Sequence, residues 1–277
     1  MATRSYSFSH AITRAPSASV VNGLRAVDIG PPDFEVFRRD HDAYVEVLAS
    51  TGAEVVRLAP LEAYPDSVFV EDVALCLPEV AIVLRPGAPS RCGEAPEIVE
   101  TLARFYHDVV ALEGVGSIEG GDILMTEREI MVGISARTDT DGIEALRRAL
   151  AGWGHTLRVV HTPDDVLHFK TDCAVLDEET VLATPRLAAT GCFDGYDVVL
   201  TADGEPASAN AVRFNAIVAV PAGFPKTAEK LTKRGFDVHE IGNTEAAKLD
   251  GGMSCLSLRF SPPGRGRACI GARSRVT

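Results

Sequence analysis

The sequence predicts an α/β protein assembled from repeated ββαβ units. Three observations carry that prediction. The order strand, strand, helix, strand recurs, with amphipathic helices beginning near residues 34, 95, 141 and 227. The strands come as hairpins, whereas a doubly wound sheet alternates single strands with helices. The gap before the last helix leaves room for one short, degenerate unit around residues 185–193.

Each element has a local reason. Over 33–50, Phe34, Phe37, Tyr44 and Leu48 share one helical face, and Gly52 can end the helix. Residues 54–58 follow as a strand, then 68–75 and 80–85 as a hairpin around Pro78 and Glu79. Ile98, Leu102 and Phe105 mark a helix over 95–105, with a strand at 109–112 behind it. A second hairpin pairs 123–126 with 130–133. The helix over 141–153, with Thr140 as its cap, comes next, then a strand at 155–161. One domain over 1–260 is expected, and the Pro-, Gly- and Arg-rich stretch 261–277 reads as a disordered tail.

Bulk properties narrow the function classes. At 277 residues and 46% hydrophobic content the chain can bury a large core. A net charge of −12 speaks against binding nucleic acid through phosphates, which needs clustered Lys and Arg. No stretch approaches a membrane span and residues 1–10 lack the apolar run of a signal peptide. Cys76, Cys92, Cys173, Cys192, Cys255 and Cys269 form no C-x-x-C pair, so no metal or cofactor is expected, and a reduced cytoplasmic protein is.

One cysteine stands apart. Cys255 follows the turn Asp250-Gly251-Gly252 and opens an alternating apolar run, which places it at a strand start near a mouth. Far upstream lie His168 and two acid-rich stretches, 66–72 and 119–122. A thiol, a distant histidine and an acid make the pattern of a thiol nucleophile with its proton shuttle, Glu119 orienting the imidazole. Cys173, five residues past His168, would point to the opposite face of an extended segment. Asp66 and Asp72 are six residues apart, so an extended chain would aim both to one side, with Glu71 on the other. Paired buried carboxylates call for a cation, and a planar guanidinium matches their oxygens.

At these residues the chain resembles the dimethylarginine dimethylaminohydrolases, a family of the guanidino-modifying pentein superfamily. The matching pieces are residues 9–15 (SHAITRA), 66–72 (DSVFVED), 85–91 (RPGAPSR), 119–122 (EGGD), 133–138 (GISART), 167–170 (LHFK) and 250–255 (DGGMSC). They cover nearly the whole chain in the family's order. The resemblance implies a five-bladed α/β propeller with the active site in its central channel. It implies Cys255 as nucleophile, His168 as general acid and base, and Glu119 as the acid that orients it. Asp66 and Asp72, with Glu71 beside them, would bind the guanidinium. Arg91 and Arg137 would hold the α-carboxylate, and Asp250 would lie at the α-amino end. The family's mobile lid would fall near residues 16–22. The substrate would be a small molecule, a methylated arginine, and the protein a candidate homo-oligomer.

Two other readings compete. An arginine or agmatine deiminase would use the same acids with ammonia leaving, although agmatine has no carboxylate for Arg91 and Arg137. A non-catalytic propeller that binds a protein partner would have no use for the Cys, His and acid set. Zinc on Cys255 and His168 would lack a full ligand set.

Overall fold

The structure is a computed structural model that describes residues 5–163 and 166–262. Its strands form five three-stranded sheets, each with one antiparallel and one parallel pairing. The first blade is built from both ends of the chain. Strand β1 (His10–Arg14) runs parallel to β2 (Glu54–Leu58) and antiparallel to β15 (Leu258–Phe260), with His10 opposite both Glu54 and Phe260. The 17-residue helix α1 (Phe34–Ser50) makes the crossover.

The other blades follow in chain order. The second holds β3 (Ala74–Cys76), β4 (Ala81–Val83), α2 (Val99–Ala103) and β5 (Val109–Ala111). The third holds β6 (Ile123–Met125), β7 (Ile130–Ile134), α3 (Thr140–Ala151) and β8 (Leu157–His161). In the fourth are β9 (Cys173–Val175), β10 (Thr180–Ala183), α4 (Pro185–Ala188) and β11 (Asp197–Leu200). The fifth has β12 (Val212–Phe214), β13 (Ile217–Pro221), α5 (Pro225–Lys233) and β14 (Asp237–Ile241). A parallel pair needs a crossover connection, and the helix of each unit supplies it. This is the five-bladed α/β propeller, and the degenerate unit is the fourth, whose helix is one turn.

Packing explains the helices. Asp33 caps α1 by accepting from Val36 N, and Phe37, Tyr44 and Leu48 are buried, with His41 on the same stripe. Ile143, Leu146 and Leu150 of α3 join Ile118, Ile130 and Val132 in one apolar cluster. The cap of α3 is Asp139, whose side chain accepts from Gly142 N, rather than Thr140. Asp outranks Thr at that position, and Thr140 is already inside the helix.

What positions the site is a second repeat that the sequence reading missed. Ahead of the inner strand of every blade lies a short 3-10 turn: Val70–Val73, Gly120–Asp122, Phe169–Thr171, Pro206–Ala209 and Ser254–Leu256. The first touches the second and the last; the second touches the third, and the third the fourth. They surround one end of the propeller axis. Residues 68–73, expected as strand, belong to this set of turns, and so does Cys255. The expected tail lies outside the described residues from 263 onward. Among the described residues no helix is long and apolar enough to cross a membrane.

Candidate active site

Each turn delivers a polar side chain to the axis. Asp72 comes from the first, Glu119 precedes the second, His168 precedes the third, Asn210 follows the fourth and Cys255 sits inside the fifth. Asp66, Asp72, Arg91, Glu119, Arg137, His168, Asp250 and Cys255 line one small pocket, walled on its apolar side by Leu24, Phe69, Leu167 and Leu249. Its volume is about 30 Å3, room for a water molecule or two and no more. The segment after the 3-10 helix Ala18–Asn22 helps to close it: Leu24 N donates to Asp66 Oδ1 (2.9 Å) and Ala26 N to Asp250 Oδ2 (2.6 Å). A ligand the size of an amino acid must displace this segment. Leu24 was not expected at the site.

The imidazole of His168 and the carboxylate of Glu119 lie in contact. His168 Nε2 lies 2.6 Å from Glu119 Oε2, and Glu119 is fully buried, its other oxygen accepting from Gly87 N at 2.9 Å. Burial opposes the charge on His168, but Asp72, the Glu119 hydrogen bond and Asp122 outweigh it and lift the pKa to about 9. The imidazole is therefore a cation at neutral pH. Gly121 makes the approach possible, because a Cβ there would stand 2.8 Å from the His168 ring and 3.0 Å from Asp72 Oδ1.

The thiol is in the opposite condition. Burial, with Glu71 and Asp72 nearby, pushes Cys255 up to about 11, so the resting sulfur is protonated. Cys173 is apart from all this, buried in an apolar cluster with its sulfur on Phe169 O.

Among the acids, Asp66 and Asp72 both reach the pocket, though not by strand alternation. The chain turns through 64–69 and coils at 70–73. Burial raises the Asp66 pKa. Burial also opposes the charge on Asp72, but His168 and Arg91 more than offset it and hold its carboxyl below the usual range. Glu71 is a correction: it does not line this pocket. Successive side chains in a 3-10 turn diverge by about 120°, so Glu71 points to the far side, where its Oε1 meets Lys170 Nζ at 2.5 Å and Arg259.

Arg91 also departs from expectation. Its Nε is 3.1 Å from both oxygens of Glu94, Nη2 binds Glu94 Oε2 (2.8 Å) and the Phe69 carbonyl (3.1 Å), and Nη1 binds Asp72 Oδ2 (2.7 Å). A guanidinium has five N–H groups, so at most one Nη1 proton remains for a ligand. Arg137 is less committed, its Nη1 approaching Glu119 Oε1 at 3.9 Å. Asp72, Glu119 and His168 offer ligand atoms within 4.8 Å of one another. Their own hydrogen bond and the ion pair with Arg91 already hold that group together.

Known proteins resemble this chain along nearly its whole length. Residues 94–219 match the family model of arginine deiminase. The chain is 39% identical over 254 residues to the N(G),N(G)-dimethylarginine dimethylaminohydrolase of Pseudomonas aeruginosa, covering 91% of this chain and 100% of that protein. It is 33% identical to the protein of the same name from Streptomyces coelicolor, over 90% and 96% of the two chains. A structure of the P. aeruginosa protein, a cysteine-to-serine variant complexed with citrulline, superimposes with a TM-score of 0.89 at 38% identity, covering 92% of this chain and 100% of that one. With this identity along nearly the full length of both relatives, and the same fold, the chain belongs to the dimethylarginine dimethylaminohydrolase family.

Proposed function

We propose that the protein hydrolyses the guanidino C–N bond of Nω-methylated arginine, giving citrulline and a methylated amine, with Cys255 as nucleophile. The observation that carries this reading is the convergence of Cys255, the His168–Glu119 pair, Asp66 and Asp72 on one pocket. The P. aeruginosa relative bears that activity in its name, and one of its structures holds citrulline, the ureido product expected here.

Cys255 Sγ attacks the guanidinium carbon as the bond to the methylated nitrogen breaks. His168 gives its proton to the departing amine, and the thiol's proton leaves with it too, so the amine departs as an alkylammonium and the imidazole is left neutral. The S-alkylthiouronium left on the enzyme is then attacked by water, whose proton His168 receives. Cleavage of the C–S bond frees citrulline and returns the thiol. Glu119 keeps the imidazole aimed throughout.

The energetics require the substrate's charge. Ionising a thiol of pKa about 11 at neutral pH costs about 5.5 kcal/mol, a larger gap than an ordinary thiol presents. A guanidinium ~4 Å away contributes about 4 kcal/mol at an effective dielectric near 20. The thiol is thus protonated in the empty site; the substrate's charge removes most of the cost of ionising it, and the remaining ~1.5 kcal/mol falls to other groups. Asp66 and Asp72 hold the guanidinium plane against the sulfur. Arg137, helped by the remaining Nη1 proton of Arg91, takes the α-carboxylate, and Asp250 with the 249–251 backbone meets the α-amino end.

The five described cysteines are free, which suits the reducing cytoplasm. Exposed Val27 and Ile29 make a homo-oligomer through that loop the assembly to look for by light scattering. The test of function is to incubate pure protein with arginine, monomethylarginine, asymmetric dimethylarginine and agmatine and to measure ureido product and amine. Methylated substrates should be turned over best. Ammonia release from arginine or agmatine alone would replace this reading with the deiminase one.

A further inference from the structure

The sulfur has a neighbour that no sequence motif announces. Asn210, 6% exposed, directs its carboxamide Nδ2 at Cys255 Sγ from 3.8 Å. Its orientation is not free. Asn210 Oδ1 accepts from Ser254 N at 2.9 Å, and its main-chain oxygen accepts from Met253 N at 3.3 Å. Flipping the amide would set one N–H against another at Ser254, so the carbonyl end is fixed there and the donor end is left for the sulfur. Gly252 leaves space for this: a Cβ at that position would stand 2.2 Å from Asn210 Cγ. One residue thus holds both residues that precede the nucleophile, Met253 through its main chain and Ser254 through its side chain, and turns a donor toward the sulfur.

We propose that Asn210 is a catalytic residue whose amide N–H donates to Cys255 Sγ, holding the negative charge the sulfur bears before attack and again as the C–S bond breaks. Glu71 and Asp72 both oppose ionisation of that sulfur, and the Asn210 amide, alongside the Gly252 backbone N–H, works against them. A hydrogen bond to an ionised acceptor is stronger than one to a neutral thiol, so the contact favours the anion selectively. The inference rests on Cys255 as the nucleophile, and it can be tested without substrate.

The experiment is alkylation of the intact protein by iodoacetamide across pH, with Cys255 followed by peptide mass, in wild type, Asn210→Ala and Asn210→Asp. Asn210→Asp keeps the acceptor for Ser254 N and loses the donor, so it decides the matter if Asn210→Ala does not fold. Alkylation of Cys255 should need a pH about one unit higher in Asn210→Ala and higher still in Asn210→Asp. Amine release from methylated arginine should lose about tenfold in kcat, with KM within about threefold. Superimposable alkylation profiles would overturn the proposal, as would a lower melting temperature with alkylation and kcat intact. Shifted alkylation in a wild-type background that releases no amine would sink the methylarginine reading and leave this one standing.

Discussion

Glu71 and Asp72 are adjacent in the chain and belong to opposite ends of the same channel. Asp72 faces the pocket, taking one bond from Arg91 and one from Gly121 N. Glu71 faces the other way, into a separate cavity of about 100 Å3 lined by the inner strands, where Lys170 and Arg259 both meet one of its oxygens. At the far end two cations meet one acid; at the pocket end the acids keep capacity for a ligand's charge. A buried acid with its own cations is an internal fastener, whereas a set of acids left partly unneutralised invites a cation from outside.

That contrast breaks cleanly if the roles are wrong. The largest effect is expected at the pocket: Cys255→Ser should lose essentially all turnover, on the order of 10⁴-fold or more, with the circular dichroism spectrum unchanged. Full activity would refute the nucleophile. At the far end, Glu71→Ala strands Lys170 and Arg259 in a buried site and should cost about 3–5 kcal/mol of stability. Denaturant unfolding reads that loss. An unaltered midpoint would mean the cluster is not a fastener.

Asp66→Ala should do the reverse, leaving stability near wild type and lowering kcat/KM about 10- to 100-fold, as loss of a hydrogen bond to a charged group of about 2 kcal/mol implies. Unchanged kinetics would remove Asp66 from the guanidinium clamp. A further effect is in pH. His168 is charged more readily in the folded chain, at about 9 against 6.5. Its ion pairing therefore stabilises the fold fully below about pH 6.5, and the contribution fades as pH climbs through about 9. The same loss of proton should make kcat fall above about pH 9, and a rate still rising there would exclude His168 as the proton donor.

The parts of this molecule that were legible share one property, a period long enough to see. Helices α1, α3 and α5 show their apolar stripes plainly, and the hairpins their alternation. The fourth unit showed only as a gap, because a helix of four residues has no stripe. The five 3-10 turns were invisible for the same reason, and with them went the true reason that Asp66 and Asp72 meet. Their pairing was expected from strand parity, in a stretch that is not a strand. Asn210 lies between two alanines with nothing to mark it. A signal existed nonetheless: it lies a few residues ahead of the inner strand of the fifth unit, as Asp72, Glu119, His168 and Cys255 do in the others. The commitment of Arg91 to Glu94 could not be read at all, since it depends on which edge of a guanidinium faces inward.

The pairing of β15 with β1 has a consequence for how the catalyst comes into being. The strand that completes the first blade begins three residues after Cys255, so the nucleophile reaches its partners only when the two ends of the chain meet. Before β15 has paired with β1, the folding chain carries histidine and acids but no attacking group in place. The propeller can turn on chemically only at the moment it shuts mechanically, and fragments cut between blades should be inert until mixed and annealed.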